Sequence, residues 1–302
     1  MRVLIGYLRV YLREIHKPWL VACMLLTGTL VYLNYSWGLE EKLVQLPWLP
    51  WPYFTGHVLL FIAAWMGAYV LYFLLQRKAM PASPGFLICL LLAPFLFAFK
   101  MAVDTSLFIS GDACWNAYWN KILYWPLRVA MLTGMLYLLW RLVHRPAPMY
   151  GLYAKQFSVR PYLLMLLIML PLIGAAATQA DFQHTYPKFK EVTDTGASWW
   201  QLLLFELAYG SDFFSIELFF RGFLVIGFIK WMGKDSILPM ACFYCAIHFG
   251  KPAGECISSF FGGILLGVVS YHTRSVYGGL IVHLGIAWLM ELAGWAGNYY
   301  KW

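Results

Sequence analysis

Four side chains stand out against an apolar background: Glu217, Arg221, His248 and His283. Glu217 and Arg221 lie inside "DFFSIELFFRGFLVIGF", residues 212–228. They are four residues apart, so on a helix they stand one turn apart on one face. Glu206, Asp212 and Glu291 fall in equally apolar surroundings. An ionisable side chain at the centre of a membrane helix costs about 2.5–3.5 kcal/mol to insert, so such groups face partners or a water-filled cavity. The chemistry this set could perform is hydrolysis. A carboxylate takes the proton of a water while a histidine positions or polarises the nucleophile. A buried arginine fixes the carboxylate through paired hydrogen bonds, and nearby donors hold an oxyanion. Taken singly the residues say less. Glu217 and Arg221 have the spacing of an ion pair that braces a bundle, and each histidine alone reads as a hydrogen-bonded residue near a helix end. His272, beside Arg274, reads as interfacial.

The elements that must carry these residues are membrane helices. Of 302 residues, 62% are hydrophobic and 12% charged, and the mean hydropathy is +0.65. The apolar residues come in long runs, which gives the class all-α: a polytopic transmembrane helical bundle. Period-2 alternation is weak, against an outer-membrane barrel. The formal charge of +8 does not point to nucleic acid, because basic residues collect on the cytoplasmic loops of membrane proteins. The six cysteines lie mostly inside apolar segments, unlike a secreted disulfide framework. Cys242-x-x-Cys245-x-x-His248 has the look of a metal ligand set, but small thiols are ordinary inside a membrane helix. "MRVLIGYLRVYLREIHK" does not read as a cleavable signal. It places Arg2, Arg9, Arg13 and Lys17 on one stripe and reads as an interfacial helix on an anionic leaflet.

Nine apolar segments follow: 20–37, 54–75, 86–108, 122–142, 162–177, 199–228, 237–249, 256–271 and 277–295. This predicts eight or nine spans. Segment 199–228 is long enough for one tilted helix or a helix broken near Gly210, whereas 237–249 is short for a crossing. Cations gather at the N-terminus, at Arg77 and Lys78, at Arg141, Arg145, Lys155 and Arg160, at Lys230 and Lys234, and at Arg274. Nine crossings make these loops alternate with cation-poor ones and put the N-terminus in the cytoplasm. Along the chain, residues 1–150 read as an interfacial helix and a four-span region. Residues 151–302 form the membrane core that holds the ionisable groups. The polar stretch Gln179–Ala197 reads as an external connector. Compact length and short loops suggest a bacterial inner membrane.

The order of three motifs is familiar. "IELFFRG" (216–222) is followed by "YCAIHFG" (244–250), then by "FFGGILLGVVSYHTRSVYGGLIVHLGIAW" (260–288). Over about a third of the chain, residues 200–295, this resembles the CPBP intramembrane proteases (Abi or CAAX-protease-like), which include the Rce1-type prenyl endopeptidases. That family carries E-E-x-x-x-R, then F-x-x-x-H, then H-x-x-x-N or H-x-x-x-D. The resemblance maps Glu217 to the second glutamate, Arg221 to the arginine, and His248 and His283 to the two histidines, with Tyr244 in the place of the phenylalanine. It implies a glutamate- and histidine-activated water that cleaves a peptide bond of a membrane-associated or lipid-modified substrate. The cofactor stays open, a divalent metal included, and the sequence alone does not support one. The lipid bilayer is the one other partner implied, and no sequence feature sets the oligomeric state.

Two positions depart from the pattern. Ile216 stands where the first glutamate is expected, and Ala287 where the final Asn or Asp is expected. In Rce1-type members that first glutamate is the water-activating one. Three outcomes follow. Glu217 serves alone, Asp212 substitutes from one turn earlier, or the chain is a catalytically degenerate relative acting as a membrane binding, scaffold or immunity protein. An ion-coupled transporter would also place carboxylates in the membrane, but the first half of the chain shows no counterpart of the second-half motifs. Gly262, Gly263 and Gly267 read as sites of close helix packing.

Overall fold

The computed structural model describes residues 2–153, 158–190 and 196–300. Lys155, counted above among the loop cations, lies outside them, as do residues 191–195 of the connector and the side chain of Arg2. Among the described residues thirteen α-helices follow in order: α1 Arg2–Glu14, α2 Lys17–Trp37, α3 Leu39–Val44, α4 Pro52–Gln76, α5 Pro84–Ala102, α6 Ala113–Leu139, α7 Arg160–Ala176, α8 Ala180–Thr185, α9 Trp199–Glu217, α10 Ile229–Met232, α11 Ile237–Ala246, α12 Ala253–Thr273 and α13 Tyr277–Tyr300. π-Helical turns extend α6 through Trp140–His144 and α9 through Leu218–Gly227. No strand occurs among the described residues. The protein is an all-α, polytopic integral membrane protein.

Each of the nine apolar segments is helical, but they are not equivalent. Among the described residues six helices are long and apolar enough to cross a bilayer: α2, α4, α5, α6 with its π extension, α12 and α13. The expected eight or nine crossings are therefore not reached by length and composition, for three separate reasons. Helix α7 has 17 residues. Helix α9 carries Glu206, Asp212 and Glu217. Helix α11 has only ten residues, about 15 Å against a hydrocarbon core of about 30 Å. All ten are buried, as expected of a helix that is apolar all round.

The chain forms two compact units. The first comprises residues 1–102, 135–155 and 218–276. Its core is aromatic, with Phe61, Trp65, Phe97, Phe219, Phe220, Phe228 and Phe243 almost fully enclosed. Phe243 of α11 is central, 4.8 Å from the Phe61 ring and 5.4 Å from that of Phe220. Buried indoles need acceptors. Trp65 Nε1 donates to Leu90 O and Trp19 Nε1 to Ala68 O, both at 3.0 Å. Helix α12 lies close on α11 because Gly263 and Gly267 face it. A Cβ at Gly267 would stand 2.6 Å from Met240 Cε, and one at Gly263 3.3 Å from Ala241. Gly262 faces open space and takes no part in this contact. Helix α1 is held by its inner face, where Leu4 and Tyr11 are buried and Tyr7 stacks on His272 at 4.2 Å; Ile15, just after the helix, is buried too.

The second unit comprises residues 103–134, 156–217 and 277–302. Helix α13 packs against α7, α8 and α9. An apolar cluster joins Tyr118, Trp125, Phe205, Ala208, Tyr209, Phe213 and Ala287. The boundary between the units at residues 217 and 218 coincides with the change from α to π hydrogen bonding.

Trp65→Ala should cost about 3–5 kcal/mol, as large aromatic deletions do. Leu74→Ala, at a side chain 68% exposed, should be nearly neutral. Unfolding by denaturant in micelles checks both.

Candidate active site

In the second unit, Glu217 ends α9 and has no exposed surface. His283, on α13, meets it: Nδ1 stands 3.1 Å from Glu217 Oε1. With the carboxylate oxygen as acceptor, the ring nitrogen is the donor. Two neighbours make this contact possible. Gly279 lies one turn before His283, and a Cβ there would overlap Glu217 Oε2. The missing side chain lets α13 come up against the carboxylate. Phe213 lies one turn before Glu217 and packs edge-on against the imidazole, with centroids 4.6 Å apart at 67°. The imidazole is thus oriented on one side by a charge-assisted hydrogen bond and on another by an apolar ring.

The two departures from the motif pattern share one environment. Ala287 belongs to the apolar cluster of the second unit, and Ile216 packs against that cluster. A carboxylate at position 216 would be set among aromatic rings, where an unpaired charge is heavily penalised. Ile216 and Ala287 thus belong to one apolar lining. Asp212 accepts from Ser215 Oγ at 3.2 Å.

In the first unit, Arg221 sits in the π-helical turns, wholly enclosed. Its Cζ lies 4.1 Å above the ring of Tyr244, a cation–π arrangement strengthened by desolvation. Tyr244 also organises His248, one turn further on. His248 Nδ1 donates to Tyr244 O at 2.7 Å, and the two rings are 4.7 Å apart at 66°. With Nδ1 bound to a carbonyl, the neutral ring carries its lone pair on Nε2. Sequence reading took Tyr244 only as a stand-in for phenylalanine. Its spacing from His248, four residues, was the available signal. Gly279 was missed altogether, since a glycine in a membrane helix carries no signal of its own. The π turns are backed by residues far away in the sequence. A Cβ at Gly222 would stand 2.7 Å from Tyr150 O. Tyr150 Oη meets His144 Nδ1 at 3.1 Å, and His144 Nε2 donates to Gly227 O at 3.1 Å. π-Helical turns inside α-helices recur at functional sites.

Among the described residues, no three His, Cys, Asp or Glu side chains are placed to hold a metal ion. The thiols of the Cys-x-x-Cys-x-x-His spacing go elsewhere: Cys245 Sγ lies 3.7 Å from Cys256 Sγ, and Cys242 pairs with Cys23. All six cysteines are free. Glu291 Oε2 accepts from the Lys188 backbone N–H at 2.7 Å, which ties α13 to the connector.

With the geometry in place, comparison with known families is decisive over one stretch. Residues 197–289 match the family described as Type II CAAX prenyl endopeptidase Rce1-like. The resemblance read from the three motifs is thereby shown. No curated protein and no solved structure matches the chain. The Rce1-like segment contains Glu217, Arg221, Tyr244, His248, Gly279 and His283. At family level this supports a protease embedded in the membrane and acting on a membrane-associated substrate.

Gly279→Ala forces α13 away from Glu217 and should destabilise by about 1–3 kcal/mol, as overpacking does. Gly262→Ala, with open space around it, should melt at or above the wild-type temperature. Tyr244→Phe keeps the ring under Arg221, whereas Tyr244→Leu loses about 2 kcal/mol of cation–π attraction. Thermal melting of the four variants in one detergent reads out both contrasts.

Proposed function

We propose that the chain is an intramembrane endopeptidase of the CPBP type in which the buried Glu217–His283 pair activates water. The observation that carries this reading is the 3.1 Å bond between Glu217 Oε1 and His283 Nδ1, made by two residues of the Rce1-like segment. The reading works as follows. Glu217 holds His283 in the tautomer with its proton on Nδ1, so Nε2 is the basic nitrogen. Water gives a proton to Nε2 as its oxygen attacks the peptide carbonyl. Glu217 then stabilises the imidazolium, as the carboxylate of a serine-protease triad does. The same proton passes to the leaving amine. The family resemblance assigns His248 to holding water or the oxyanion, and Arg221 to orienting the carboxylate. No step needs a metal from the residues present. The substrate is a peptide or protein at the membrane, a lipid-modified one included.

A farnesylated CAAX peptide with a fluorophore–quencher pair tests this directly. Wild type should cleave it. Glu217→Gln, His283→Ala and His248→Ala should each lose about 10²–10⁴-fold, the range of general acid–base catalysis. Equal cleavage by all four proteins rejects the site.

A second reading has its own observation. Ile216 and Ala287 share an apolar environment, which suits a non-catalytic relative that binds rather than cleaves. It gains if wild type is inert and Ile216→Glu creates activity. We also propose a bacterial inner membrane and a cytoplasmic N-terminus, supported by the clustering of cations in alternate loops. Reporter fusions should place the N-terminus inside and the C-terminus outside. The same side for both would refute nine crossings.

A further inference from the structure

The turn that carries His248 is held from outside the Rce1-like segment. Helix α11 ends at Ala246. The following turn satisfies its own N–H groups: His248 N bonds Cys245 O at 3.0 Å, and Lys251 N bonds His248 O at 3.0 Å. Two of its carbonyls face α2. Asn34 Nδ2 donates to Phe249 O at 3.1 Å, and Tyr35 Oη donates to Lys251 O at 2.6 Å. These donors are consecutive residues in the last turn of α2, more than two hundred positions earlier in the chain. They bracket the carbonyls on either side of Gly250.

The donors are themselves held. Asn34 Oδ1 accepts from the Glu40 backbone N–H at 3.0 Å, so its amide can point only one way, with Nδ2 toward the turn. The backbone between them reverses through Gly38, in the left-handed region at φ 65°, where Gly38 N bonds Asn34 O at 3.0 Å. The Glu40 carboxylate meets His57 Nε2 at 3.2 Å, and His57 Nδ1 donates to Tyr53 O at 2.7 Å. His57 is 2% exposed, so the brace joins Glu40 of α3 to a buried side chain of α4. The other Glu40 oxygen borders Gly250, where an added Cβ would stand 3.6 Å away. A continuous set of directed bonds therefore runs from His57 through Glu40 and Asn34 to the turn after His248.

We propose that Asn34 and Tyr35 are positioning residues for His248: they hold the carbonyls of its turn so that the imidazole keeps one orientation. The catalytic part of this proposal rests on the peptidase reading above. The positioning part does not. A backbone turn tied at two carbonyls loses the freedom to swing, and a misplacement of about 1 Å in a reacting group can cost about 100-fold in rate.

The test uses the full chain in lipid nanodiscs. Asn34→Asp keeps the acceptor for Glu40 N–H but removes the donor to Phe249 O. Tyr35→Phe removes only the hydroxyl. The first readout is hydrogen exchange of a peptide covering residues 247–252. The Lys251 amide should exchange at least about tenfold faster in the double variant, with α4 and α5 unchanged. The second readout is cleavage of the farnesylated peptide, where kcat should fall about tenfold with KM unchanged. Unchanged exchange in the turn overturns the proposal. So does exchange that rises across the whole first unit, because the bonds are then merely structural. Faster local exchange with an unchanged kcat, in an active wild type, overturns it as well. If wild type does not cleave, the peptidase reading fails, and the exchange measurement still decides whether these residues set the turn.

Discussion

A carboxylate with no exposed surface needs a directed partner, and Glu217 has one in His283. In a low-dielectric interior an unpaired charge is penalised by more than most single contacts can offset. Much of the local architecture follows from that requirement. Gly279 has no side chain because one would collide with the carboxylate. Phe213 closes the flank of the imidazole. The same bond that makes the carboxylate tolerable also fixes how the imidazole is turned.

The two positions that depart from the motif pattern meet in one apolar cluster. A glutamate at 216 without a polar partner at 287 would be stranded, and a polar residue at 287 without the glutamate would be equally so. With Ile216 and Ala287 both packed on aromatic side chains, neither cost arises. The hydrolytic reading proposed above therefore rests on Glu217 and His283.

In the first unit one aromatic side chain does two jobs. Tyr244 offers its ring face to Arg221 and its backbone carbonyl to His248. The Arg221 guanidinium and the His248 imidazole are thereby placed by a single residue of a short, fully buried helix. Helix α11 can be this short because it is enclosed by protein. The π turns that hold Arg221 widen the helix locally, and Gly222 and Gly227 let Tyr150 lie against them. A wider turn leaves backbone that another element must cover, and that element comes from residues 135–155.

The amino-acid sequence alone determined the class, the helical nature of the apolar segments and the few ionisable residues that are candidates for chemistry. Long apolar runs permit only helices in a bilayer, and ionisable residues are too costly there to be numerous, so the few that occur stand out. The order Glu217, Arg221, His248, His283 was legible for that reason, and the family match bears out the resemblance. Which apolar segments are long enough to cross was less legible, because hydropathy does not reveal that α11 is enclosed by neighbours or where α9 turns π. The tertiary structure alone decided that His283 takes Glu217, that Ile216 and Ala287 share one cluster, and that Asn34 and Tyr35 reach the turn of His248. These contacts join residues tens to hundreds of positions apart, and no local periodicity records which face of one helix will meet which face of another.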